Sequence, residues 1–189
     1  NRTYLIENSG EAVHSWDSDW WPGLSVYLQP DGHLIKTVSL TSQVFQAGGG
    51  GGGIREYDWE GKLVWDFDYT GIRNQRAVHH HHDIEVLPDG NILMIAWEER
   101  SAEEALESGR NPDLGTGTSE ALWPDHIVEV APGTGEIVWE WHVWDHLVQD
   151  YDPSKANYGS VAGRPERINV NYTSGPGGSD WTHFNALDY

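Results

Sequence analysis

Apolar residues in this chain come in short alternating runs, broken by tight polar turns. The stretches "YLIENSGEAVHSW" (4–16), "IREYDWEGKLVWDF" (54–67) and "IVEVAPGTGEIVWEW" (127–141) are versions of one hairpin. Each has a turn glycine (Gly10, Gly61, Gly135), a valine three residues on (Val13, Val64, Val138) and an aromatic six on (Trp16, Phe67, Trp141). A glycine turn followed by side chains at regular strand spacing predicts a β-hairpin. A second type alternates with it: "SVYLQPDGHLIKT" (25–37) and "IEVLPDGNILMIA" (84–96), where Pro-Asp-Gly sets the turn.

One hairpin of each type makes four antiparallel strands, the content of one β-propeller blade. Gly10 and Gly61 are 51 residues apart, Gly32 and Gly90 58, and Gly61 and Gly135 74, the last spacing swollen by an insertion over 99–125. The C-terminal "HFNALDY" (183–189) matches the first strand of the second type when His183 is laid on His81 and Asn185 on Asp83. The expected fold is all-β: one domain over 1–189, holding about two and a half four-stranded blades of a propeller. The remaining blades are expected from a longer chain or from self-assembly. Within the insertion, Ser101 and Glu104 at capping-box spacing and Gly109 as a stop predict a short helix over 102–108. "WDHLVQDYDP" (144–153) predicts a second short helix, ended by Pro153, and 154–179 reads as irregular. The glycine run 48–53 reads as a flexible loop; no helix with Lys-Ser/Thr follows to make it a phosphate cradle.

Composition narrows the partners. Eleven Trp and 22 Gly suit a β-rich protein. The net charge is −19, from 11 Lys and Arg against 30 Asp and Glu, which excludes a nucleic-acid partner and disfavours anionic membrane surfaces. No apolar run approaches the roughly 20 residues needed to span a bilayer. There is no cysteine, hence no disulfide or thiolate metal site.

The chemistry is concentrated in "VHHHHDIEVLPDGN" (78–91). In a propeller, the start of a blade's first strand opens onto one mouth of the central channel, where pockets form. Counting back nine residues from the turn glycine places His81 there in the second unit and Gly23 in the first. The strand match places His183 there in the third. Different side chains at one repeated place point to a pocket. His79 and His80, which precede the strand, read as bonded to backbone or water. The imidazoles allow three chemistries. One is a metal-dependent hydrolase or lyase built on the His cluster, a site with nitrogen and oxygen ligands such as His142 and His146, or Ca²⁺ at Asp145, Asp150 and Asp152, although that spacing is not an EF-hand's. The second is attack by histidine on sulfur or phosphorus, with Arg73, Arg76, Arg100 and Arg110 as cations around the transferred oxygens. The third is a propeller that binds a ligand without catalysis.

The ordered set "YLIENSGEAVHSW", "HHDIEVLPDGNILMIAWEE", "HIVEVAPGTGEIVWEWHVWDHLVQDYDP", "NYGSVAGRPERINVNY" and "SDWTHFNALDY" resembles the arylsulfotransferase family. The resemblance implies a six-bladed propeller in a periplasmic or extracellular protein. It implies sulfuryl transfer from an aryl sulfate to a phenol without a nucleotide donor, through a transiently sulfated histidine. It implies no cofactor, a divalent cation being the alternative. By motif, the family's paired histidines fall on His81 and His82 with Asp83, and its second element on Asp180, Trp181, His183 and Asn185. The sulfated histidine itself is expected in a part of the family pattern that has no counterpart here. His183 with His81 or His82 is then expected to hold the sulfate or phenolic oxygen and to act as general acid. Asp83 is expected to orient an imidazole, Asn185 to donate a hydrogen bond, Trp181 to stack on the aryl ring, and Arg73, Arg76 and Arg100 to bind the anion.

Overall fold

The computed structural model describes residues 1–114, 121–173 and 178–189. The described chain is built almost wholly of antiparallel strands. β1 (Arg2–Ile6) and β2 (Ala12–Asp17) form a two-stranded hairpin. β3 (Trp21–Leu28), β4 (Leu34–Ser39), β5 (Gly52–Tyr57) and β6 (Leu63–Asp68) form a four-stranded meander in chain order. The next sheet holds β7 (Thr70–Arg73), β8 (Arg76–Val86), β9 (Ile92–Glu98), and, after the insertion, β12 (Asp125–Ala131) and β13 (Glu136–His142), in the order β13-β12-β9-β8-β7. Each large sheet thus joins one Pro-Asp-Gly hairpin to the following hairpin of the other type, as the repeat predicts. β7 is an addition that the repeat does not contain.

The sheets pack side by side through apolar residues. Ile35, Ile54, Phe67 and Tyr69 of the first large sheet and its exit meet Val78, Ile84, Ile92, Met94, Val128 and Val130 of the second. Trp16 of the β1–β2 hairpin packs on Leu34 and Tyr57. Burial of such side chains contributes roughly 1.5–3 kcal/mol each.

Both Pro-Asp-Gly hairpins carry the same distortion in their first strand. The β3–β4 register slips between Pro22 and Val26, and the β8–β9 register slips between His80 and Ile84. Residues 23–25 and 81–83 therefore bulge from their sheets at equivalent places. A bulge re-aims side chains that regular pleating would fix, and His82 lies in it.

The insertion contains β10 (Arg100–Ser101), α1 (Ala102–Glu107) and β11 (Ala121–Leu122). The Ser101 side chain accepts from the Glu104 N–H, and the Glu104 side chain accepts from the Ser101 N–H, so the predicted capping box is formed. Residues 115–120 of the insertion and 174–177 of the segment expected to be irregular lie outside the described residues. The helix expected over 144–153 is absent. In its place a 3-10 turn, Val143–His146, leads into β14 (Leu147–Val148), which pairs in parallel with β15 (Ile168–Asn169). The Gln149 side chain explains the difference. It accepts from the N–H groups of Tyr151 and Asp152 and donates to the carbonyls of Asp152 and Ala156, satisfying backbone that a helix would otherwise pair. No helix among the described residues is long and apolar enough to cross a membrane.

Candidate active site

The four histidines of β8 have different environments. Alternation along the strand turns His79 and His81 to the Trp97 side and His80 to the other. His79 is buried near Phe45 and Trp97, with Nδ1 on the Thr70 hydroxyl at 2.7 Å. His80 is fully buried, and its Nδ1 accepts the Gly52 N–H at 3.1 Å. His81 is also fully buried, stacked on Trp97 with ring centroids 3.9 Å apart. His82 is partly exposed, with φ +53° in the left-handed region, a conformation that costs on the order of 1–2 kcal/mol.

The glycine run makes room for these rings. Gly50 bridges His81, the Gly51 N–H donates to the His80 carbonyl, and the His82 N–H donates to the Gly49 carbonyl. A Cβ at Gly49 would overlap the His82 ring, and one at Gly51 would overlap that of His80. The run is therefore a backbone strap laid on the histidines, and not the loose loop expected from its composition. Only residues without side chains can approach imidazoles so closely.

His183 reaches the same place from the C-terminal segment. Its ring centroid lies 4.7 Å from that of His82 at an interplanar angle of 75°, and 5.9 Å from that of His81. His183 shares the φ of +53° seen at His82.

Two carboxylates anchor the imidazoles, and neither is Asp83. Asp125, at the start of β12 and fully buried, meets His81 Nε2 at 2.7 Å. His81 Nδ1 meets His82 Nδ1 at 2.9 Å. Asp180 Oδ2 meets His183 Nδ1 at 2.5 Å. The other Asp125 oxygen accepts from the Thr182 hydroxyl and, at 3.0 Å, from the Phe184 N–H. Asp125 thus ties β8 to the C-terminal segment. Asp83 accepts instead from the Tyr27 hydroxyl at 2.8 Å and from the Leu187 N–H at 3.2 Å, holding three elements together. Among the described residues, the Nε2 atoms of His82 and His183 make no hydrogen bond.

Burial sets the charge states. It pushes His81 down to about 2 and His80 to about 3, so both are neutral in the fold. Burial, followed by the neighbouring His183, also lowers His82. Burial raises Asp125 to about 6, against the lowering effect of the Thr182 hydroxyl and the Phe184 N–H.

His82 opens on a cleft of about 480 Å³ lined by Leu24, Ser25, Val26, Tyr27, Asp83 and Asn185. Leu24 and Val26 are exposed there. Asn185 donates to the His183 carbonyl at 2.9 Å, which leaves its second amide hydrogen without a partner among the described residues.

The other expected ligands lie elsewhere. Trp181 is buried in the core with Leu122, Val143 and Leu147, its N–H on the Tyr172 carbonyl at 2.9 Å, so it cannot stack on a substrate. Arg76 and Arg100 are held by Glu98 and Glu104 beside α1. Arg73 lies over the Phe67 and Tyr69 rings, and buried Arg110 donates to the Val170 carbonyl. None of these arginines lines the His82 cleft. Among the described residues no three His, Asp or Glu side chains are grouped to hold a metal ion; Asp152 instead accepts from the N–H and hydroxyl of Ser154.

Two anchored imidazoles lie side by side, and one of them, His82, lines a cleft of mixed polar and apolar walls, so the pair can give and take protons. No curated protein matches the chain. The sequence does match the Arylsulfotransferase (ASST) family over residues 3–189, and with that match running almost end to end the chain belongs to this family.

Proposed function

We propose that this chain carries the acid–base centre of a nucleotide-independent sulfuryl transfer from an aryl sulfate to a phenol, with its sheets as successive blades of a propeller. The observation that carries this reading is the meeting of His82 and His183, from separate elements, with each Nδ1 anchored and each Nε2 without a hydrogen bond among the described residues. The aryl ring rests on Leu24 and Val26, in place of Trp181, and the second amide hydrogen of Asn185 reaches a sulfate oxygen. The acceptor phenol gives its proton to His82 Nε2 as its oxygen bonds to sulfur. The bond from sulfur to the donor's phenolic oxygen breaks, and that oxygen takes the Nε2 proton of His183, whose Nδ1 is held by Asp180; the proton gained by His82 then passes to His183, which restores both rings. A sulfated histidine, which family membership suggests, would divide this displacement into two of the same kind. One pair of imidazoles would then serve both phenolic oxygens in turn.

Binding can be tested apart from turnover. Titration of imidazole-labelled protein with 4-nitrophenyl sulfate is expected to shift the His82 and His183 resonances together and to leave those of His33 and His146 in place. Shifts confined to other histidines, or none at saturating ligand, would remove this cleft as the aryl sulfate site.

A further inference from the structure

We propose that Asp125 is a positioning residue: acting through His81, it places the proton of His82 on Nδ1 and keeps Nε2 open as an acceptor. The proton placement follows from hydrogen-bond accounting for an ionised Asp125 and neutral imidazoles; only its catalytic consequence rests on the sulfuryl-transfer reading above.

Thr182 fixes the first proton. Its hydroxyl oxygen accepts the Asp125 N–H at 3.0 Å, and its hydrogen goes to Asp125 Oδ2. The Phe184 N–H donates to the same oxygen at 3.0 Å. Oδ2 is therefore an acceptor twice over, and Oδ1 is left facing His81 Nε2 at 2.7 Å. A carboxylate only accepts, so His81 carries its proton on Nε2. A buried neutral imidazole has one N–H, so His81 Nδ1 presents a lone pair. The Nδ1 atoms of His81 and His82 are 2.9 Å apart, and one of them must hold the proton between them. It is His82 that donates. A neutral His82 then has its lone pair on Nε2. The logic is that of a carboxylate fixing an imidazole's tautomer, extended by one further ring. The flanks keep the rings in line: Trp97 stacks on His81, and the Gly49 carbonyl holds the backbone N–H of His82.

Asp125→Asn inverts this arrangement. The Thr182 hydroxyl and the Phe184 N–H both need an acceptor at the Oδ2 position. The amide oxygen must go there, and the amide NH₂ must face His81 Nε2. His81 then accepts at Nε2 and carries its proton on Nδ1. His82 accepts at Nδ1 and carries its proton on Nε2. A change of one oxygen to NH₂, with the packing intact, reverses both tautomers.

The experiment is a two-bond ¹⁵N–¹H correlation spectrum of ¹⁵N-histidine-labelled protein above pH 7. The wild type is expected to show His82 as the Nδ1–H tautomer and Asp125→Asn to show it as Nε2–H. Thr182→Val, which leaves the carboxylate in place, is expected to keep the wild-type tautomer. Transfer by Asp125→Asn is expected to fall by at least about 10²-fold, the usual worth of a positioned base. An Nε2–H tautomer in the wild type overturns the relay without need of any variant, and so does an Nδ1–H tautomer retained in folded Asp125→Asn. A reversal of tautomers in a protein without transferase activity upholds the relay and counts against the sulfuryl-transfer reading alone.

Discussion

Alanine at His82 or at His183 is expected to lower kcat/KM for sulfuryl transfer by about 10²–10⁴-fold, the range of a lost general acid or base. The two rings lie 4.7 Å apart, and in the proposed mechanism they serve the two phenolic oxygens of one displacement. Their effects should therefore not add. The double variant is expected to be little worse than the poorer single one, as for residues that act as a unit. His82 lines the cleft edge and His183 sits against Asp180, so neither truncation opens a large core cavity. His33→Ala, in the β3–β4 turn and paired with Glu56, is expected to leave transfer unchanged. Steady-state rates for the wild type and these four variants measure this. Multiplying effects would mean that the two histidines act in separate events.

The fold is expected to lose stability steeply as pH falls below about 6.5, because buried histidines must take up protons to reach the unfolded state. Burial lowers His79 to about 4, His80 and His126 to about 3, and His81 to about 2. In the unfolded chain all four titrate at the ordinary value, about 6.5. The stability tied to their neutral forms is fully present above that value and is lost as pH falls, since only the unfolded state binds the protons. Asp125 opposes this with one group. Its folded pKa of about 6 lies above its unfolded value, so between about 6 and 4 the folded state holds a proton that the unfolded state lacks. Roughly three net protons at about 1.4 kcal/mol each give a loss of about 4 kcal/mol per pH unit in this window. Against a total of about 5–15 kcal/mol, the domain is expected to unfold between about pH 5.5 and 4. Urea midpoints measured from pH 8 to 4 test this. His80→Gln should flatten the slope by about a quarter to a third, and a midpoint independent of pH would contradict the assignment of neutral buried imidazoles.

The hairpins were legible because a turn glycine and period-two apolar residues act locally. Gly10, Gly61 and Gly135 mark hairpins of one type, and Gly32 and Gly90 those of the other. The α1 capping box was legible for the same reason. The site was only partly so. His82, His183 and Asn185 stood in motifs, but what anchors them did not. Asp125 lies 44 residues from His81, and only the pairing of β9 with β12 brings it there. Asp83, adjacent to the histidines in sequence, points to Tyr27 because the bulge turns the strand. One signal was available. The β4–β5 and β9–β12 registers place Asp125 opposite Trp97 and Gly52 opposite Ser39, so a buried acid stands where the preceding sheet has a glycine against His80. The arginines misled because net charge and loop position do not reveal a nearby carboxylate; Glu98 and Glu104 had already taken Arg76 and Arg100. Trp181 misled because an aromatic in a site motif can equally be the plug of a small core.

The most direct measurement is the release of 4-nitrophenol from 4-nitrophenyl sulfate by the purified protein, with and without a second phenol and with no nucleotide added. The proposed chemistry predicts release that rises with the phenol, one sulfated acceptor for each nitrophenol, and its loss in the His82→Ala, His183→Ala double variant. Release that ignores the phenol, or that survives removal of both imidazoles, would contradict it.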